Sequence, residues 1–130
     1  MTDDEVFNAS TYLLDRQLAA GNGDRVALAG SGGEVTYAAL HDRVLRTAGG
    51  LRRTGLLPEQ RLLMSMSDTP EFVTVFLAAL RIGAVPVPVS TMLRADGLAG
   101  LLRDSRAPYL AITPEFRDLA AAAAADAPEL

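Results

Sequence analysis

The chain has 130 residues, 49% of them apolar, carries a net charge of −4 and contains no cysteine. That size suits one domain, and the missing cysteines exclude a disulfide framework, a thiolate metal site and a cysteine nucleophile. All twelve positive charges are arginine, dispersed among acids, which argues against a nucleic-acid footprint and removes any chemistry that needs a lysine from the same chain.

No apolar run approaches the ~20 residues of a membrane span, and the acidic start Asp3, Asp4, Glu5 lacks the basic-then-apolar order of a signal peptide, so a cytoplasmic protein away from membranes is expected. Those three acids could ligate a cation, but a terminal acidic cluster reads first as solvated, and no metal site is expected.

Asn8 is placed to cap a first helix over residues 9–20, with Ala9, Leu13, Leu14 and Leu18 on its apolar face and Gly21 ending it. "RVALAG" and "EVTY", separated by Ser31, Gly32 and Gly33, read as a β-hairpin. Thr36 caps a long helix with a stripe of Tyr37, Leu40, Val44, Ala48 and Leu51, closed by Gly55. His41, beside Asp42, falls off that stripe and reads as a surface residue.

From residue 61 the pattern becomes strand and helix in alternation. "RLLMSM" is a strand, and Thr69-Pro70-Glu71 opens a helix over 71–82 that Gly83 ends. This helix is apolar nearly all round, so it needs cover on more than one side, and self-association through an exposed patch on the order of several hundred Å² is expected where that cover is missing. "AVPVPV" is the second strand. Its two prolines, two residues apart, leave two amides unpaired or sit beside a bulge. Asp96 is expected to cap a helix over 97–104, "YLAIT" is the third strand, and Thr113-Pro114-Glu115 starts a last helix whose alanines, 119–127, have little burial value and are expected to fray. The fold class is therefore α/β: an N-terminal helix and hairpin, then β-α-β-α-β-α forming a parallel sheet with packed helices.

The glycine-rich stretches "GNGDRV" and "GSGG" do not run from a strand into a helix, so neither is a phosphate loop. The loops leaving the strands carry more promise, because a parallel α/β sheet binds ligands beyond its carboxyl ends. Ser90, Thr91 and Met92 follow the second of these strands, and Asp68 and Thr69 follow the first. Capping and turn formation account for the same hydroxyls and carboxylate.

"FNASTYLLDRQLAAGNGDRVAL", "VTYAALHDRVLRTAGGLRRTGLLPEQRLLMSMSDTPEFVTVFLAALRIGAVPVPVSTML" and "LLRDSRAPYLAIT" resemble the opening of the AMP-forming acyl-CoA synthetases, and within them the benzoate-CoA ligases. The "FNAS", "DTPEF" and "STML" segments carry the aryl leaning. The resemblance implies a two-step reaction: a carboxylate attacks the α-phosphate of ATP, and CoA then displaces AMP from the acyl-AMP. It also implies that residues 1–130 are the N-terminal portion of a larger domain, with the rest of the synthetase chain as partner. The phosphate loop, its lysine, the Mg²⁺ site and the ribose-holding acid of that family lie outside these residues. ATP, Mg²⁺ and CoA therefore belong to the full-length enzyme, no cofactor is expected on this segment, and the segment alone is expected to be inactive. Ser90, Thr91 and Met92 would border the acyl channel.

Two positions depart from the family pattern. Ala39 stands where a glutamate would complete a capping box, and Gly97 softens the start of the helix after Met92. A stand-alone α/β interaction or small-ligand-binding module built on the same part of the fold is the alternative reading. A reading frame continuing past Leu130 into a lysine-containing Ser/Thr/Gly-rich loop would separate the two.

Overall fold

The computed structural model describes residues 6–130, so Asp3, Asp4 and Glu5 lie outside the described residues. A π-helical turn, Thr11–Asp15, runs into the short helix α1, Arg16–Ala19. The antiparallel hairpin of β1, Val26–Gly30, and β2, Gly33–Thr36, follows, and then α2, Tyr37–Thr54. The rest alternates: β3, Arg61–Ser65; α3, Pro70–Arg81; β4, Val85–Pro88; α4, Ala95–Ser105; β5, Tyr109–Ile112. A 3₁₀ turn, Pro114–Phe116, leads into α5, Arg117–Ala124. The α/β class and the parallel sheet expected from the sequence are both present.

The parallel sheet has the order β4-β3-β5, so β3 is central. Its residues alternate between two cores. Leu62 and Met64, with Met66 just past the strand, join Leu40, Val44, Leu77 and Ala78 on the α2/α3 side, whereas Leu63 joins Leu98, Leu102 and Ala123 on the α4/α5 side. A strand covered on both faces must be apolar at successive positions, which is why "RLLMSM" shows no polar alternation. Burying each leucine contributes ~1.5–3 kcal/mol.

The caps at Thr36 and Thr69 form as the sequence indicates: Ala39 N donates to Thr36 Oγ1 at 3.2 Å, and Phe72 N to Thr69 Oγ1 at 3.4 Å. Gly55 closes α2 with φ at 103° and sits where a Cβ would come within 3.2 Å of the Tyr109 hydroxyl, so both its backbone freedom and its lack of a side chain are used.

Four expectations are corrected. The first helix is not a regular one over 9–20: its π turn buries Ser10 and Leu14 and turns Leu13 outward, because i→i+5 bonding widens the turn and shifts the face. Asn8 does cap, accepting from Ser10 N at 2.9 Å, and its amide also donates to Leu80 O at 2.8 Å, tying this segment to the end of α3. His41 is not a free surface residue, because its Nε2 lies 3.1 Å from Asp15 Oδ1. Asp96 is not the cap of α4: the helix starts at Ala95 after an extended Arg94, and Asp96 Oδ1 accepts only from Gly97 N, at 3.0 Å. Finally, the alanine-rich end packs well. Ala123 and Ala127 are buried against α4, since a side chain of one carbon lets two helices approach closely, and Arg103 donates to Asp126 O at 3.1 Å.

Helix α3 is covered on several sides by α2, β4 and the N-terminal segment, and its five large apolar residues outside the buried core are half-buried, none fully exposed. No helix among the described residues is long and apolar enough to cross a membrane.

Candidate functional site

Helix α3 leaves β3 toward one face of the sheet, and α5 leaves β5 toward the other. The carboxyl ends of β3 and β5 are neighbours, so the chain diverges between them, and such a switch point opens the crevice in which α/β sheets hold ligands.

The residues there form a connected polar cluster. Ser67 N donates to Thr113 Oγ1 at 3.1 Å, and Thr113 Oγ1 donates to Glu115 Oε1 at 2.8 Å. The Ser67 hydroxyl donates to the same Glu115 oxygen. The Ser67 hydroxyl, the Glu115 backbone N–H and the Thr113 hydroxyl, in that order of effect, hold the Glu115 carboxyl below the usual carboxylate range. Thr113 is buried, as is Ser65 at the end of β3, whose Oγ has no hydrogen-bond partner among the described residues.

Asp68 and Thr69 continue from this cluster into a cleft of about 730 Å³. Its walls are the hairpin from Leu28 to Val35 and the start of α3, including Phe72 and Val73, with Arg43 at one side. The volume is that of a small-molecule site. Arg43 and Glu71 also border a smaller hollow of about 500 Å³ between α2 and α3.

Ser90, Thr91 and Met92 are placed differently. They follow β4, an edge strand, and border neither hollow. Ser90 Oγ accepts from Met92 N at 3.1 Å, which fixes the turn, and Met92 itself is 90% exposed. Within the described residues Met92 has no interior packing role. Gly97 adapts α4 to this loop: a Cβ there would come within 3.1 Å of Leu93 Cδ2.

The sequence pattern singles out Asp68 and Thr69, which line the cleft, but not Ser67, Thr113 and Glu115, because "TPE" reads equally well as a helix start. A second cluster lies away from the strand ends. Arg81 donates to both oxygens of Asp15 at 2.9 Å, and His41 approaches from α2, clamping the N-terminal segment onto both helices. The hydrogen bond from Arg81, opposed by desolvation and aided by the Arg81 and His41 charges, lowers the Asp15 pKa. Among the described residues no three His, Cys, Asp or Glu side chains gather in a group that could hold a metal.

Comparison with known proteins gives a consistent picture. The family model described as "AMP-binding enzyme" matches residues 14–130. A 4-hydroxybenzoate-CoA/benzoate-CoA ligase of Rhodopseudomonas palustris is 36% identical over 124 residues, covering 95% of this chain and 23% of the relative. A benzoate-CoA ligase of Thauera aromatica is 35% identical over 116 residues, with 88% and 22% covered. Among solved structures, a benzoate CoA ligase from Burkholderia xenovorans LB400 superposes with a TM-score of 0.87 at 30% identity, over 92% of this chain and 24% of that one. The anthranilate CoA ligase AuaEII, in complex with anthranoyl-AMP, gives 0.89 at 25% identity, over 95% and 24%. The chain thus spans about a quarter of the length of these proteins.

Proposed function

The chain belongs to the AMP-binding enzyme family, and from that premise we propose that it is the N-terminal portion of the large domain of a cytoplasmic acid-CoA ligase acting on an aryl carboxylate of the benzoate type. The observation that carries this reading is the 36% identity, across 95% of the chain, to a 4-hydroxybenzoate-CoA/benzoate-CoA ligase. In the reaction proposed for the longer polypeptide, the acid's carboxylate oxygen attacks the α-phosphate of ATP and pyrophosphate leaves. The CoA thiolate then attacks the acyl carbon, and AMP leaves with the bonding electrons.

These residues would bind and shape the acid's surroundings. The cluster of Ser67, Thr113 and Glu115 holds the loop that leads to Asp68 and Thr69, and so fixes one wall of the cleft. Ser90 fixes the neighbouring turn, and Thr91 with Met92, the latter flexible and polarizable, would face the acid at the rim of the acyl channel. The exposure of Met92 supports this role, since a large apolar side chain left 90% in solvent is available to a ligand or to a later segment. Adenylyl transfer also needs cationic stabilisation of the phosphates; the lysines that the family resemblance implies for it would come from the remaining polypeptide, since this chain has none.

The test is Met92→Ala in the longer enzyme. A several-fold rise in KM for benzoate with KM for ATP unchanged is expected, the pattern of lost acid binding. Unchanged benzoate kinetics would remove Met92 from the acyl-channel rim.

A further inference from the structure

Residues 8–20 lie across α2 and the end of α3 as a strap. Only Ser10 and Leu14 of this stretch are buried, and the Ser10 hydroxyl has no hydrogen-bond partner among the described residues. Leu14 is thus the strap's one enclosed apolar anchor, in a core whose other buried members all lie at Val35 or later. The helical part is a π turn of five residues joined to an α turn of four, well short of the ~12–15 residues at which a helix in water begins to hold by itself.

The strap's other attachments are polar, and they converge on the last turn of α3. Asn8 Nδ2 donates to Leu80 O at 2.8 Å. Arg81 Nη1 and Nη2 donate to the two oxygens of Asp15 at 2.9 Å each, with His41 Nε2 3.1 Å from Asp15 Oδ1. The Arg81 and Asp15 side chains keep 21% and 33% of their surface in solvent, so water can replace these bonds as they break. The chain is fixed again at Gly23, whose C=O accepts from Ala38 N at 2.9 Å. Between strap and anchor sits Gly21, at φ 81° with open space where a Cβ would be, which gives the chain freedom to turn there.

We propose that residues 8–20 open as a unit about Gly21, with the Asp15–Arg81 ion pair as the latch, while the parallel sheet and helices α2 to α5 stay folded. Opening takes one side chain, Leu14, out of the α2/α3 core and leaves the caps of α2 and α3 at Thr36 and Thr69 in place. It returns the Ser10 hydroxyl to water, which favours the open form. It also uncovers the Leu14 seat in that core, together with the Arg81 guanidinium and the His41 imidazole. The last turn of α3 lies at the amino end of β4, opposite the strand ends that carry the candidate site, so the strap is a conformational device separate from the acid's surroundings.

Amide hydrogen exchange on the 130-residue chain tests this. The Tyr12 and Arg16 amides, bonded within the strap, should share one opening constant, at least about tenfold larger than that of the β3 amides. Low urea should leave the strap's exchange nearly unchanged, because its opening exposes little surface, and should accelerate exchange in β3 steeply. Arg81→Met, which keeps an apolar stem but removes the guanidinium, should raise the strap's opening constant about tenfold, and Asp15→Asn about fivefold. Equal opening constants and equal urea dependence in the strap and in β3 would overturn the proposal, since the strap would then open only with the whole chain. Different opening constants for Tyr12 and Arg16 would replace a unit with fraying. Strap exchange left unchanged by both Arg81→Met and Asp15→Asn would overturn the latch.

Discussion

The loops after β3 and after β4 leave the same carboxyl end of one parallel sheet, yet they are built in opposite ways. The first is anchored: Ser67 is bonded to Thr113 and Glu115 across the gap to β5, Thr69 caps α3, and the cleft against the hairpin starts beside them. The second is held only by a local turn in which Ser90 accepts from Met92 N, and it leaves Met92 in solvent. Sheet order makes the difference. A loop at a central strand has a neighbour on both sides to bond to, whereas a loop at an edge strand has one. A fixed wall and an adaptable rim are two useful parts of a site for a small rigid acid.

The largest expected effect tests the anchoring. Thr113→Val removes the acceptor for Ser67 N and one donor to Glu115, and should cost about 1–2 kcal/mol in denaturant unfolding, because a partly buried N–H loses its partner. An unchanged midpoint would mean the first loop is no better anchored than the second.

Asp15→Asn serves as a control of comparable size away from both loops. It weakens the clamp to Arg81 and His41 and should cost about 1 kcal/mol, a value reduced by partial solvent screening, without altering aryl-acid kinetics in the longer enzyme. A change in KM for the acid would show that the clamp reaches the site, and the contrast between the loops would then lose its functional meaning.

Acid titration gives a smaller signal. The Glu115 pKa is depressed in the folded chain, so its contribution is present above the unfolded value near 4.5 and is lost as pH falls through the folded value. Glu115→Gln should flatten part of the loss of stability below that pH, and Asp15, shifted in the same direction, should account for a further part. Identical acid profiles for the wild type and Glu115→Gln would contradict the hydrogen-bond network.

The smallest effect falls on the second loop. Met92→Ala should change the stability of this chain by no more than ~0.5 kcal/mol, since the side chain is exposed. A loss of 2 kcal/mol or more, the cost of a core methionine, would place Met92 in an interior it does not occupy here.

Much of this architecture is legible in the sequence because it follows from local chemistry. Thr36 and Thr69 mark helix starts, Gly55 and Gly83 mark ends, and the pair Pro86 and Pro88 marks an edge. The candidate site was only half legible. Asp68-Thr69 and Ser90-Thr91-Met92 look equivalent along the chain, and only the order β4-β3-β5 makes the first the loop of a central strand and the second the loop of an edge strand. Thr113 and Glu115 stand about 46 residues from Ser67, so no local pattern could join them. The Asp15–His41 contact escaped for a related reason: a π turn moved Asp15 off the face that a regular helix would give it.

The account holds that residues 1–130 supply walls of an aryl-acid site and that adenylation chemistry requires polypeptide beyond them. Benzoate-dependent exchange of labelled pyrophosphate into ATP, in the presence of Mg²⁺, tests this directly on the purified 130-residue chain and on the longer ligase in parallel. The account predicts exchange by the longer protein and none above background by the chain alone. Exchange that co-purifies with residues 1–130, or a longer protein that shows none with any aryl acid, would contradict it.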